Sequence, residues 1–251
     1  MHPILFRIGS FPVYSYGVML FAAFVAAIII MRHELVKRGI SSSSLYLLAA
    51  ILALAGVVGA RLFYILGHIA EFKGNWVRVF DINTLGMIYY GGLLLAIPVG
   101  IIAIRRLKLP TGVVADAVGL ALPLSLAIAR VGCFLNGCCG GKTSGLPWAV
   151  TVPGTANAVH PTQLYEAVLD LAVFGLLLVL RKYLHRDWDI FLISLAVYAA
   201  IRFAMEFFRF HTSPGAAVFF QALSAAIFVV SLGLFWWRHR AGQLPEAGEA
   251  D

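Results

Sequence analysis

Seven apolar stretches of about 18 to 22 residues recur along the chain. Each is long enough to cross a hydrocarbon core of about 30 Å at roughly 1.5 Å of rise per residue. They lie near residues 14–31, 45–67, 86–104, 112–129, 163–180, 189–208 and 216–237. In lipid every backbone N–H and C=O must be satisfied within the chain, so this pattern predicts an all-α polytopic membrane protein of seven transmembrane helices. Composition agrees. With 61% hydrophobic residues, 12% charged residues and a mean hydropathy of +0.89, the chain cannot furnish the wet surface of a soluble domain.

The net charge of +7 invites a nucleic-acid partner, but its placement argues for none. Arg32, Lys37 and Arg38 follow the first span, Arg105, Arg106 and Lys108 the third, Arg181, Lys182 and Arg186 the fifth, and Arg238 and Arg240 the seventh. The N-terminus and the other boundaries carry only Arg7, Lys73, Arg78 and Lys142 in their loops. The positive-inside rule then sets the N-terminus outside and the C-terminus in the cytoplasm. The stretch before the first span lacks a basic n-region followed by a small-residue cleavage site, so the first helix is expected to stay in the mature protein. Residues 1–240 read as one transmembrane domain and 241–251 as a short polar cytoplasmic tail. The serines at 41–44 fall in a cytoplasmic turn, and two outer connections, 68–85 and 130–162, exceed a simple turn.

Four arginines stay inside or against apolar spans: Arg61, Arg130, Arg202 and Arg209. An ionisable group at that depth costs several kcal/mol and points to function. Spans two, four and six run from inside to outside, and each arginine falls late in its span, which places all four near the outer leaflet. Tyr14 and Tyr16 open span one at the same level, Tyr89, Tyr90, Gly91 and Gly92 open span three, and Gln163, Tyr165 and Glu166 open span five. The plain alternative is that the arginines snorkel to headgroups and the tyrosines form an interfacial belt. Against it, Glu206 lies at i+4 from Arg202 and three residues before Arg209, a spacing for an internal Arg-Glu-Arg arrangement on one helix face. Guanidinium forks match phosphate oxygens bidentately, and the backbone N–H groups near Gly91 and Gly92 add donors at a helix start, which suits a phospholipid headgroup.

The segment Ala129-Arg130-Val131-Gly132-Cys133-Phe134-Leu135-Asn136-Gly137, with Gly140 and Gly141 following, resembles the signature of prolipoprotein diacylglyceryl transferases. The resemblance extends in order to Tyr16-Gly17, to Gly59-Ala60-Arg61 with Tyr64, and to Gly91-Gly92-Leu93. It continues through His160-Pro161-Thr162-Gln163-Leu164-Tyr165-Glu166, then Arg202-Phe203 and Glu206-Phe207-Phe208-Arg209. It implies an enzyme of the bacterial inner membrane, its site facing the outer leaflet and needing no cofactor or metal. The enzyme would move the diacylglyceryl group of phosphatidylglycerol to the lipobox cysteine thiol in the signal peptide of a prolipoprotein, forming a thioether and releasing glycerol phosphate. In this reading Arg130 and Arg202 hold the phosphate and stabilise the leaving group, and Tyr16 and Asn136 orient the headgroup. Glu206 fixes Arg202 or Arg209, Gly91, Gly92 and Gly141 let the backbone approach the lipid, and Arg61 is a further headgroup contact.

The sequence departs from the family where proton transfer is at stake. Tyr90 stands where the family commonly has a histidine before the Gly-Gly pair. A phenol, ordinarily near pKa 10, is a poor base unless arginines stabilise its phenolate. His160 is the alternative base. Cys133 and Cys138 replace an asparagine and a glutamate, and with Cys139 they complete the cysteines of the chain. In an outer loop they form a local disulfide with one thiol left over, remain plain buried thiols, or make a metal or catalytic-thiol site. Adjacency without a nearby histidine argues against zinc. Asp116 is expected near the cytoplasmic end of the fourth span, His68, Asp81 and His211 in outer connections read as solvated, Asp170 has no assigned role, and Pro98 and Pro123 are expected to kink their helices or open a gap between them.

Other functions stay open: a family member that uses a phospholipid donor with a different acceptor, or a non-enzymatic seven-helix lipid-binding protein or transporter. A transporter predicts ionisable groups near the midplane and a weak repeat, whereas these lie at one face and no repeat is present. A structural scaffold explains the spans but not the arginines.

Overall fold

The computed structural model describes residues 1–9, 11–72, 88–211 and 214–241. Lys73, Arg78, Asp81 and the tail from 242 onward lie outside the described residues. The chain forms two compact units, Met1–Met31 with Ala115–Asp251, and Arg32–Val114.

Seven long helices are present among the described residues: α1 Ser15–Lys37, α2 Ser42–Gly67, α4 Tyr89–Arg106, α5 Thr111–Asn136, α6 Thr162–Leu180, α7 Asp189–Met205 and α8 Pro214–Ala241, with one turn, α3, at Ile69–Phe72. Five have the length and apolarity to cross a membrane: α1, α2, α5, α6 and α8. Helix α4 has 18 residues and ends on Arg105 and Arg106. Helix α7 has 17 residues, about 25 Å at the usual rise. Helices α4 and α5 continue past Pro98 and Pro123.

The structure bears out the helical class and differs from expectation in three details. First, β1 Ile4–Ile8 and β2 Phe11–Tyr14 form an antiparallel hairpin before α1, with Phe6 opposite Val13 and Ile8 opposite Phe11. Gly9 takes φ +60 at its turn, and the base is tied to α1 by Ser15 N–H donating to Pro3 O at 2.9 Å. Second, α5 runs through Arg130 to Asn136, so Arg130 belongs to a helix and not to the long outer loop. Third, α7 stops at Met205, which leaves Arg209 beyond its end.

In the unit Arg32–Val114, α2 and α4 pack closely through small residues. A Cβ on Gly92 would meet Gly56 O at 2.9 Å, and one on Gly59 would strike Gly91 O and Leu95. Small faces of this kind let membrane helices approach through backbone contact. The Gly91 and Gly92 N–H groups donate to Ile88 O at 3.0 and 3.3 Å. Ser41 caps α2 and accepts from Ser44 N–H at 3.3 Å. His68 is not simply solvated, for it stacks on Tyr64 with ring centroids 4.3 Å apart.

In the other unit, Leu120 of α5, Val173 and Leu177 of α6 and Ile190 of α7 form a buried cluster, with Ile30 of α1 against it. Asp116 has a role the sequence did not reveal. Helix α7 begins after Trp188, in the left-handed region at φ +76, and has no side-chain cap of its own. The Asp116 carboxylate supplies it from α5, accepting from Trp188 N–H at 2.9 Å and Phe191 N–H at 3.0 Å. An anion there satisfies orphan N–H groups and complements the helix dipole. Nearby, Arg186 donates to Arg238 O at 2.9 Å, Arg238 donates to Asp187 O at 3.0 Å, and His239 lies 3.5 Å from the buried Asp189 carboxylate. The end of α8 is thereby tied to the start of α7. Asp116→Ala is expected to lower stability by about 1 to 2 kcal/mol, while Asp116→Asn, with one acceptor oxygen for two N–H groups, recovers part of the loss. Thermal unfolding in detergent checks the pair.

Candidate functional site

At the opposite end of this unit, the last turns of α5 and α7 meet the first turn of α6 and the start of α8. Glu166, in the second turn of α6, is almost fully buried. Its carboxylate lies 2.5 Å from the Arg130 guanidinium, 3.9 Å from Arg202 and 4.0 Å from Arg209. Glu206, the residue that ends α7, pairs with Arg202 one turn back and with His211. Arg202 and His211 both lie against the Phe220 ring of α8, the guanidinium 5.8 Å from its centroid and the imidazole stacked at 6.0 Å. Tyr198, one turn before Arg202, feels both Arg130 and Arg202, and Asp170, one turn after Glu166, is buried beside Glu166.

Three guanidinium groups thus meet two carboxylates, and one positive charge is in excess within these ion pairs. Each arginine side chain is less than a fifth exposed. The Arg202 Nη1 donor is buried without a hydrogen-bond acceptor among the described residues. Glu166 Oε1 and Glu206 Oε1 are also buried without a hydrogen-bond donor among the described residues, and low-dielectric surroundings raise the worth of each such unpaired group.

The connection between α5 and α6 is held together, and held to the end of α7, by isolated backbone bridges. Gly141 bridges Arg209, Lys142 N–H donates to Phe208 O at 2.8 Å, and His160 N–H donates to Lys142 O at 3.0 Å. This holds Arg209 in place after α7 has ended. A Cβ on Gly141 would strike Phe208 O and Thr162, so only glycine permits the approach. His160 packs edge-on against Tyr165 and Phe208, with Nδ1 3.4 Å from the Tyr165 hydroxyl, which accepts from Trp148 Nε1 at 2.8 Å.

The three cysteines are free thiols and no disulfide joins them, with all three sulfurs within 4.8 Å of one another. Helix α5 ends in a Schellman turn: Gly137, at φ +72, donates to Phe134 O at 3.1 Å and Cys138 donates to Cys133 O at 3.1 Å. That turn folds Cys138 back over Cys133. Thr162 Oγ1 donates to Cys139 O at 3.0 Å and Gln163 Nε2 to Cys138 O, which joins the turn to α6. Hydrogen bonds from the neighbouring thiols and from Asn136 hold the Cys138 thiol below its usual range. A cavity of about 330 Å³ opens beside Cys138 and Cys139, toward Val159 and Phe210.

Of the residues singled out in the sequence, Arg130, Arg202, Arg209 and Glu206 come together, with His160 and Gly141 in the adjoining bridges. Asn136 stands at the cysteine turn, and Tyr16 of α1 packs on α5 at Gly132. Arg61, Tyr90, Gly91 and Gly92 belong to the other unit, where the Arg61 guanidinium lies 5.8 Å from the Tyr64 ring centroid and Tyr90 is exposed in the first turn of α4. The expected Arg-Glu-Arg row on one helix is corrected, since Arg209 lies beyond α7 and reaches Glu166. His211 is not solvated but bound to Glu206. The residue that sequence reasoning undervalued is Glu166. The signal was the charge balance: several arginines near apolar spans require more carboxylate than Glu206 alone.

A sequence model of the prolipoprotein diacylglyceryl transferase family matches residues 3–237. The chain is 35% identical over 212 residues to the phosphatidylglycerol–prolipoprotein diacylglyceryl transferase of Geobacter sulfurreducens, covering 82% of each chain. It is 36% identical to the enzyme of that name from Rhizobium meliloti, over 82% of this chain and 79% of that one, and 30% identical to the Coxiella burnetii enzyme over 95% of both. Removing Glu166 leaves buried arginines uncompensated, so Glu166→Ala is expected to destabilise the fold by about 3 to 5 kcal/mol, with Glu166→Asp recovering part of the loss. Chemical denaturation in micelles followed by tryptophan fluorescence reads both.

Proposed function

The chain belongs to the prolipoprotein diacylglyceryl transferase family, and on that premise we propose that it transfers the diacylglyceryl group of phosphatidylglycerol to a prolipoprotein, at the lipobox cysteine of its signal peptide. The observation that carries this reading is the convergence of Arg130, Arg202 and Arg209 on Glu166 with positive charge in excess. The chemistry needs that arrangement. The acceptor thiol loses its proton, its sulfur attacks the glycerol carbon that bears the phosphate ester, and the C–O bond breaks with its electron pair leaving on glycerol phosphate. Negative charge grows on the departing phosphate, where preorganised guanidinium donors stabilise the transition state more than the ground state. Arg130 and Arg202 hold the phosphate, Glu206 positions Arg202, and Arg209 adds to the field. Tyr16, Asn136 and Gly141, in the same unit as these arginines, are assigned to the headgroup.

His160 is the base in this reading. It belongs to the same unit as the arginines, its backbone N–H donates to Lys142 O while Lys142 N–H donates to Phe208 O, and Tyr165 steadies its Nδ1. Tyr90 is the competing acceptor.

The protein is a multi-pass membrane protein by its apolar helices and its family. We place it in the inner membrane with seven crossings, the N-terminus outside and the C-terminus in the cytoplasm. Support comes from the two ends of one unit: Arg181, Lys182, Arg186, Arg238 and Arg240 gather where α6 and α8 finish, and the arginine–glutamate cluster stands at the other end. Cytoplasmic basic ends put the cluster at the outer leaflet, where both the donor lipid and a translocated precursor are within reach.

The test is a liposome assay with phosphatidylglycerol and a lipobox peptide, with the product read by mass spectrometry. Arg130→Ala and Arg202→Ala should each lower turnover by about 10²- to 10³-fold. His160→Ala should lower it by a comparable factor, with Tyr90→Phe near the unaltered rate. Full loss in Tyr90→Phe with activity kept in His160→Ala reassigns the base. No thioether from the folded, unaltered protein overturns the transferase reading itself.

A further inference from the structure

The thiols of Cys133, Cys138 and Cys139 stand close together at the end of α5, outside the arginine–glutamate network. We propose that they form a three-thiolate site for a soft, filled-shell metal ion of the Cu(I), Zn(II) or Cd(II) type. The spacing fits. A metal–sulfur bond of about 2.3 Å requires sulfurs about 3.8 Å apart in a tetrahedral set and about 4.0 Å apart in a trigonal one. The three sulfurs lie within 4.8 Å of one another, with Cys138 and Cys139 at 3.6 Å, so closure on an ion takes only side-chain rotation.

The backbone already holds this arrangement. The Schellman turn stacks Cys138 over Cys133, and Cys139 adopts φ +64, a left-handed conformation that a non-glycine residue takes only when its surroundings impose it. Thr162 and Gln163 supply that constraint by binding the carbonyls of Cys139 and Cys138. Cys133 is buried, Cys138 is half-buried and Cys139 is exposed, which gives an inner anchor and an entry path from the adjoining cavity. The Cys138 thiol donates to Cys133 O at 3.6 Å, which orients that sulfur within the turn. Thiolate sulfur selects soft ions over Mg²⁺ or Ca²⁺. Cysteine adjacency without a nearby histidine argues against zinc in the sequence alone, whereas three converging sulfurs suit a trigonal site with an open fourth position.

Charge supports the same assignment. Three thiols release their protons to solvent on binding one divalent ion, leaving a centre of net charge −1. Arg130 interacts electrostatically with Cys133 and Cys139, and Arg209 with Cys139, so cationic groups already face that charge. Thr162 and Gln163 stand one turn before Glu166, so an ion that stiffens the cysteine turn also stiffens the helix start that carries Glu166.

The test uses the full-length protein in detergent, reduced and kept free of oxygen, titrated with Cd²⁺ and followed by the ultraviolet sulfur-to-metal charge-transfer band. One ion per chain is expected. Cys133→Ser, Cys138→Ser and Cys139→Ser should each weaken binding at least about tenfold. Cd²⁺ should raise the thermal midpoint of the unaltered protein and leave that of Cys138→Ser in place. Zn²⁺ and Cu(I), added as competitors, should abolish the band and show which ion is preferred. A band that survives all three serine variants, or none in the folded unaltered protein, overturns the site. Alkylation of protein isolated with chelator and without reductant gives an independent reading: three modified cysteines support it, and one modified cysteine with a disulfide overturns it.

Discussion

A single buried carboxylate organises the polar end of this protein. Three guanidinium groups brought together in a low-dielectric setting repel one another and lose their hydration, and neither effect is tolerable without an anion between them. Glu166 is that anion. Because Arg130 comes from α5, Arg202 from α7 and Arg209 from the chain beyond α7, one side chain on α6 sets the spacing of three other segments. Glu206 repeats the device on a smaller scale, joining Arg202 to His211 and bringing both to Phe220 of α8. Within these pairs the guanidinium groups outnumber Glu166 and Glu206, and this imbalance is the basis of the phosphate-binding role proposed for the cluster.

The surrounding backbone is built to keep that charge in place. Helix α7 ends early, and its continuation is captured by the bridge to Gly141, which fixes Arg209 without a helix beneath it. The turn after α5 is closed by a Schellman motif and held to α6 by Thr162 and Gln163, so the loop that covers the site is tied at both ends. At the far end of the same unit, Asp116 caps α7 and basic residues tie α8 to the α6–α7 connection. Each end of α7 is therefore anchored by a different helix, which limits rotation of the face that carries Tyr198 and Arg202.

Much of this was legible in the chain, though unevenly. The apolar stretches give the helices to within a few residues at many ends, and the buried arginines stand out because their surroundings make them expensive. The failures have physical causes. Arg130 reads as a loop residue because its own charge and the Gly132 that follows interrupt the apolar run, yet the helix continues to Asn136. The hairpin at Ile4–Tyr14 is too short for a periodic signal and shows only its Gly9 turn. Arg209 and Glu206 are neighbours by spacing, but that spacing assumes a helix that has already ended.

The sequence by itself determined the solvent, the helical class, the alternation of basic ends and the membership of a few ionisable residues in apolar segments, because these are properties of composition and order along one dimension. Only the tertiary structure decided that Glu166 is the common partner of three arginines, that Asp116 caps a distant helix, and that three cysteines present their sulfurs to one point. The first two are distances between segments far apart in the chain, and the third depends on how the turn after α5 is held to α6. They follow from how helices pack and where they stop, and no local pattern encodes them.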